Sequence, residues 1–510
     1  MSDPTEKFRR AAKALRKSFE QGEAEALARV RAVLPDAAGL KHADALHVLA
    51  REAGHDSWPK MKFALDSAAM DREAKAERLK LALFMGQHWV VEALLGEDPG
   101  LARANFGLAC AVYDIAHVRA VLDRDPEAAT RLVGIRRPIL HLSYSQHFKG
   151  AGAEADMMAV AEALRAAGAD VNDSYPYQGE EHMPLSALYG AIGHAGNMVL
   201  ARWLLEAGAD PNDGESLYHS TELGHREGLA MLLEYGARPA GTNALPRALD
   251  FNDHEAVEML LRAGADPSEG IAEHVSGEPP FVIPALHQAA RRMCDGRMIS
   301  LLLEAGADAS KLYKGVTPYA VARVYGNAVA ARLIAEAGGD LRLDASQSLL
   351  AQAAEGVVPE GQYIDPAKLP EEFRNLIRAI LHLPGKFEHV QRLVALGLEY
   401  DRADAEGLTP VQVAGWEGLP DVMGYFLGLK PDLSHINGYG GTLLSTIIHG
   451  SENAPNRAKR DHIACARLAL EEGVALPRRA IELAGEPDMA DFLAGWAARY
   501  PGQVVAEGIN

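Results

Sequence analysis

Between positions 200 and 315 the chain writes one apolar pattern three times: "LLEAGADPND" at Leu204–Asp213, "MLLRAGADPS" at Met259–Ser268 and "LLLEAGADAS" at Leu301–Ser310. Adjacent aliphatic residues followed by Ala-Gly form the apolar last turn of a helix, running into a residue that tolerates the left-handed C-terminal cap. Each copy therefore predicts a helix stop. Following the stops along the chain gives Gly168, Gly208, Gly236, Gly264, Gly306 and Gly338, separated by 40, 28, 28, 42 and 32 residues, with degenerate copies at Gly397 in "LVALGLEYD" and Gly473 in "LALEEGVALP". A period near thirty residues with insertions predicts a solenoid. A second apolar segment lies upstream of each stop, clearest in "GVTPYAVA" (Gly315–Ala322) and "GLTPVQVA" (Gly407–Ala414). Thr317 and Thr409 are placed to cap a helix N-terminus, and Pro318 and Pro410 take the first helical position, where a missing N–H costs nothing. The predicted unit is helix, short turn, helix, loop, and the predicted fold class is all-α.

The segments "TPYAVA", "TPVQVA" and "PALHQAA" (Pro284–Ala290), each followed by a second helix and in two cases by an "AGAD"-type loop, resemble ankyrin repeats. The resemblance spans residues 76 to 500 and implies an ankyrin-type helical repeat solenoid of roughly ten to twelve units. Its strong copies are 183–213, 214–240, 242–269, 283–310 and 315–340; weaker ones include "LFMGQHWVVEALLGEDP" and "LACAVYDIAHVRAVLDRDP". His287 in "PALHQAA" holds the family's usual His position, which implies a structural hydrogen bond across to an adjacent repeat. Tyr189, Tyr218, Pro246 and Ser445 stand at that position in other units, where the pattern does not show such a bond.

Two stretches interrupt the array. Residues 341–385, with "EGVVPEGQYIDPAKLPEEF", have the Pro, Gly and acidic content of an irregular excursion or a decayed repeat. The first 80 residues carry 16 basic and 13 acidic side chains, against 35 and 57 in the remainder. Residues 1–75 thus form a separate helical module, followed by repeats over 76–340, the interruption at 341–385, and repeats with a C-terminal cap over 386–510. The segment "HADALHVLAREAGHDSWPKMKFAL" (His42–Leu65) resembles a helical segment found before ankyrin repeats in many bacterial proteins, and the Ala- and Arg-rich usage agrees with a bacterial source. It also has the outline of a helix-turn-helix, with Gly54 in the turn. Its second helix, however, opens on Trp58 and Pro59 and offers phosphates only Lys60 and Lys62. The module is therefore expected to cap the solenoid, with Trp58 packed into the first repeat.

Charge and composition narrow the function. The net charge of −19 disfavours nucleic acid and anionic membranes as partners. Three scattered cysteines suit a reducing compartment, and "MSDPTEKFRRAAKALRKSFE" has no apolar h-region, so a cytoplasmic monomer is expected. No HExxH, CxxC, G-x-S-x-G or phosphate-loop motif occurs; His141 and His147 lie six apart, off any shared helix face, and "GYGG" at Gly438–Gly441 fits a loop tip. No metal or cofactor is expected.

A binding surface is better marked than any chemistry. The ankyrin resemblance implies that first helices and loop tips line a concave groove, and that the two residues after each unit's small-residue core point into it. Carried unit by unit, this marks Ser145 and Gln146, His194, Glu222 and Leu223, Asp250 and Phe251, Arg291 and Arg292, Tyr325, Trp416 and Glu417, and His449. Glu222, Asp250, Phe251, Arg291, Arg292, Tyr325, Trp416, Glu417 and His449 are the expected partner contacts, because aromatics and Arg carry binding energy at interfaces. The expected function is a protein-binding scaffold whose partner carries an acidic patch. An enzyme or small-molecule binder built in the same groove is the alternative, distinguished by a deep pocket enclosing two or more of Tyr144, Tyr189, Tyr218, His219 and Arg291.

Overall fold

The computed structural model describes residues 4–177, 180–271, 282–358 and 360–505. Its helices end where the glycine pattern says. At all the marked glycines from Gly168 to Gly473, φ lies between +80° and +102°. A Cβ added at Gly264 would meet nothing within 4 Å, so glycine is required there by backbone conformation and not by crowding. The following residue closes the cap: Ala209 N–H donates to the Leu204 carbonyl at 2.9 Å, and Ala265 and Ala307 do the same to Leu260 and Leu302 at 3.0 Å.

The rest of the repeated motif has a physical use as well. The carboxylates of Asp210, Asp266 and Asp308 accept from the backbone two residues on, at 2.9, 2.8 and 2.8 Å. The polar residue at that second position then reaches the next unit. Ser268 Oγ accepts from Asp308 N–H at 2.8 Å, and Ser310 Oγ from Asp340 N–H at 3.0 Å. Asn172 and Asn212 make the equivalent bonds to Asp210 and Arg238 at 2.7 and 2.9 Å. The loops are thus laddered unit to unit along an exposed edge, with backbone donors of one loop satisfied by a side chain of the loop before it.

One compact unit comprises Met70–Leu343. Among its described residues, eight helix pairs follow one another: Arg72–Phe84 with His88–Glu97, Phe106–Ala111 with Ile115–Leu122, Pro138–Ser143 with Glu154–Ala166, Ala187–Ala195 with Met198–Glu206, Ser216–Ser220 with Glu227–Glu234, Ala244–Asp250 with His254–Arg262, Ala285–Arg291 with Gly296–Glu304, and Pro318–Tyr325 with Ala328–Glu336. Each first helix packs on the next first helix, and second helices pack on second helices at Ile115–Leu122 with Glu154–Ala166, Met198–Glu206 with Glu227–Glu234, and Gly296–Glu304 with Ala328–Glu336. That is the nearest-neighbour order of a solenoid. Thr317 caps its helix as expected, accepting from Ala320 N–H at 3.1 Å. The chain is mostly helical, as expected, and a small antiparallel hairpin of Ser174–Tyr177 and Glu180–Ser186 precedes the fourth pair. Its Tyr175 turns inward, 8% exposed, and Pro176 faces out, while the register shifts between Pro176 and Tyr177 and leaves Tyr177 exposed as well.

The other unit joins Met1–Ala69 to Asp344–Asn510. Thr409 begins helix Pro410–Trp416 with a reciprocal capping box to Gln412. Within residues 341–385, helix Ala345–Ala354 and the short helices Glu371–Arg374 and Leu376–Ile380 bury Phe373, Leu376, Ile377 and Ile380. The N-terminal helices Pro4–Glu20, Ala24–Val33, His42–Glu52 and Trp58–Ala68 close on a core of Ala12, Leu15, Phe19, Val30, Ala45, Val48 and Leu49. Trp58, expected to pack into the first repeat, lies against this core instead, 6.4 Å from the ring of Phe8. The module packs through helix His42–Glu52 on helix Pro487–Arg499, and Lys41 Nζ pairs with Asp488 at 2.7 Å. It covers the last helix pair of the chain, whose outward apolar face needs covering as much as the first would.

Candidate functional site

Three successive first helices of unit 70–343 end in side chains that join into one strip. Helix Ser216–Ser220 supplies His219, whose ring nitrogens bond the carboxylates of Glu215 at 3.3 Å and Glu222 at 2.8 Å. Glu222 also receives Arg247 at 2.7 Å, and Arg247, on helix Ala244–Asp250, pairs with Asp250 at 2.8 Å. Asp250 in turn receives Arg292, just after helix Ala285–Arg291, at 2.8 Å, together with a hydrogen bond from Gln288. Charge alternates along the strip. The Arg247 guanidinium lies 4.9 Å from the ring of Phe251 and 5.6 Å from that of Tyr218. Phe251 is 52% exposed, among the larger apolar exposures of the unit.

The electrostatics follow from burial and pairing. Burial alone would push the His219 ring down, but hydrogen bonds to Glu215 and Glu222 outweigh it and raise the ring to about 9. Burial likewise favours a neutral Glu222, and the bonds from His219 and Arg247 reverse this and hold its carboxyl below the usual range. His219 is therefore a cation at neutral pH and has no free lone pair to act as a base.

A second cluster is aromatic. The Arg136 guanidinium sits 4.7, 4.7 and 4.2 Å from the rings of Phe84, Tyr144 and Tyr175 and donates to the Tyr175 hydroxyl at 2.5 Å. His194 lies 3.9 Å from the Phe84 ring and donates from Nε2 to the Phe84 carbonyl at 2.9 Å. The first helix of this unit contains a π-turn over Gly190–Ala195, and the extra residue brings His194 round to that carbonyl. Tyr144 is 2% exposed and Ser145 Oγ is bonded to the Ala111 carbonyl, so these residues are interior and not groove-facing.

Of the expected partner contacts, Glu222, Asp250, Phe251 and Arg292 are brought together in the strip, with Arg291 half-buried beside them. Tyr325 is not a contact: it is 2% exposed and belongs to the core. The register explains the expectation, since Phe251, Arg292, Tyr325 and Glu417 each lie eight residues after the residue that precedes the first helix. A phenol ring at this position gains by folding onto the array what a guanidinium would lose by desolvation. In unit 344–510, Trp416 and His449 rings lie 5.2 Å apart, and the Trp416 carbonyl accepts from His462 Nε2 at 2.9 Å. Glu417 is largely buried, its carboxyl raised by burial, with Arg460 4.0 Å away. His449 is exposed.

Sequence reasoning missed Arg247, His219 and Gln288 as members of the strip. The signal for His219 and Arg247 was the spacing of Glu215, His219 and Glu222, and of Arg247 and Asp250, at three or four residues, whereas the bond of Gln288 to Asp250 spans 38 residues and had no local signal. His287 behaves as its position implied: Nε2 donates across to the Val316 carbonyl of the next unit at 2.9 Å, and burial pushes the ring down to about 4. Among the described residues, no group of three or more His, Cys, Asp or Glu side chains could hold a metal ion, and no helix is long and apolar enough to cross a membrane. A depression of about 710 Å³ beside the strip is lined by Arg226, Phe251, Asn252, Asp253, His254, Glu255, Glu258, Arg262 and Arg297, and by none of Tyr144, Tyr189, Tyr218, His219 or Arg291.

No family model and no curated protein matches the chain. Among solved structures it is similar to the ankyrin repeat domain of human ASB11, at 20% identity over 49% of this chain and 96% of that one, with a TM-score of 0.24.

Proposed function

We propose that the chain is an ankyrin-type, protein-binding scaffold whose working surface is the first-helix strip centred on Phe251. The observation that carries this is the exposure of Phe251, with about half its surface open, its ring 4.9 Å from the Arg247 guanidinium and beside the ion pairs made by Arg247 and Arg292. An exposed aromatic ring framed by partly desolvated ion pairs has the composition of an interface hot spot and its surround. Because Arg247 and Arg292 already pair with Glu222 and Asp250, the strip offers alternating charge, and Arg291 is left as the cation best suited to an acidic group on the partner. The partner that fits is therefore a protein surface with an apolar contact for the Phe251 ring and charges of both signs, its acidic patch opposite Arg291.

The enzyme alternative gains no support from the site. His219 is held as a cation, His194 and His287 donate to backbone carbonyls, and the depression beside the strip is lined by other residues. The test is one variant read by two measurements, melting and affinity, beside the parent. Phe251→Ala should melt within a degree or two of the parent, since the ring is half in water, yet weaken partner binding by thirtyfold or so, about 2 kcal/mol. Normal affinity in Phe251→Ala would remove the strip from consideration.

A further inference from the structure

Within unit 1–69/344–510, the N-terminal module and the last helices leave a groove of about 710 Å³ between them. One wall is helix Pro487–Arg499, which presents Ala490, Ala494, Ala497 and Ala498 at positions i, i+4, i+7 and i+8, while its bulky Leu493 turns away into the core. Alanine on every turn of that face is what leaves the space. Leu46, Trp58, Pro59, Ile481 and Val504 line it too, so the lining is mostly apolar, with His47 and Ser57 as polar members from the N-terminal module.

The charged part of the lining has the opposite character. Arg9, Arg10, Lys13, Lys62 and Arg478 belong to the lining, and Asp491 is the one carboxylate in it. Five cations to one anion is unexpected in a chain whose net charge is −19. No ion pair among the described residues takes up Lys13 or Lys62. The volume lies in the range of small-molecule sites, and an apolar cleft with a few polar groups at its mouth is the usual composition of one. A nucleic-acid backbone would find no use for the apolar floor.

We propose that this groove binds a single-tailed anionic amphiphile, its hydrocarbon tail along the alanine face of helix Pro487–Arg499 and its carboxylate or phosphate head among Lys13, Lys62 and Arg478. Charge complementarity selects the head, and the width left by alanine selects a slender tail over a ring system. The site is separate from the strip around Phe251, and its failure would leave the scaffold proposal standing.

Calorimetric titration of the full chain with dodecanoate, dodecyl phosphate, dodecanol and dodecyltrimethylammonium, each below its micellar concentration, tests this. Both anions should bind one per chain, with dodecanol at least tenfold weaker and the cation weaker still. The relative affinity of the two anions distinguishes a carboxylate from a phosphate head. Ala494→Leu, which fills the groove, should abolish binding of both anions, and Lys13→Ser with Lys62→Ser should weaken it at least tenfold while leaving dodecanol unchanged. Should Ala494→Leu fail to fold, the lysine pair alone decides. Equal binding of dodecanol and dodecanoate, or parental binding in the lysine variant, would overturn the proposal.

Discussion

Replacing Arg247 with Met keeps the length and apolar stem of the side chain and removes the cation that joins Glu222 to Asp250. The structure sets the size of the effect. Arg247 is 29% exposed and its partners 28% and 12%, which places the pairs between exposed ones, worth about 0.2–1 kcal/mol, and fully buried ones, whose breakage costs about 3–5 kcal/mol. Neither carboxylate is stranded outright, because Glu222 keeps His219 and Asp250 keeps Arg292 and Gln288. The expected loss is about 2 kcal/mol. In a nearest-neighbour array it should be local, so amide hydrogen exchange should accelerate across residues 214 to 300 and stay unchanged near residues 80 to 120. Asp250→Asn in the Arg247→Met background should cost less than it does alone, with a coupling of about 1 kcal/mol. An unchanged exchange pattern, or a uniform loss along the chain, would refute the idea that the strip is a coupled network within a solenoid.

Four further outcomes are expected. Gly236→Ala forces a Cβ onto a residue at φ +92°, in open space, and should cost about 1 kcal/mol with lost exchange protection centred on residues 214 to 270. His219, raised to about 9 when folded, keeps a proton that the unfolded chain loses above about pH 6.5; the stability it contributes is complete below that pH and disappears as pH rises through 9, so urea titrations should show His219→Gln without that part of the alkaline decline. His141, His194 and His287, pushed down to about 4 by burial, act in the opposite direction and favour the unfolded chain as pH falls from 6.5 to 4, a slope that His287→Gln should reduce. Deleting residues 1–70 should uncover the apolar groove face of helix Pro487–Arg499 and promote aggregation, seen as a concentration-dependent rise in light scattering, while the intact chain shows no affinity for duplex DNA at physiological salt.

The parts of the fold that lay open in the sequence were those set by local backbone chemistry. Helix stops at Gly208, Gly264 and Gly306, the capping threonines and the inter-unit bond of His287 each depend on one residue in a short motif. The turn between the two helices of a unit also needs a left-handed residue; Asn252, a type that tolerates that region, takes it at φ +51°, but Met293 takes it at φ +56° and does not mark it by type. Direction of a side chain was harder still. Phe251 and Tyr325 occupy one register position, yet one is 52% and the other 2% exposed, because packing by neighbouring units decides it. The pairing of the N-terminal module with helix Pro487–Arg499 joins residues more than 400 positions apart, a contact no local pattern encodes. The strip itself was half legible: the residues that end each helix could be named, but not that Arg247 would neutralise two of them.

The central claim is that partners meet the first-helix strip at Phe251. The direct measurement is photo-crosslinking in the native cell with benzoylphenylalanine placed at position 251, at position 329 on a second helix, where Val329 is 45% exposed, and at position 449, followed by identification of the products and repetition in the Arg291→Ala and Arg292→Ala backgrounds. The account predicts a discrete protein adduct from position 251, reduced by both arginine substitutions and absent from position 329. The same adduct from position 329, or none from position 251 while position 449 gives one, would contradict it.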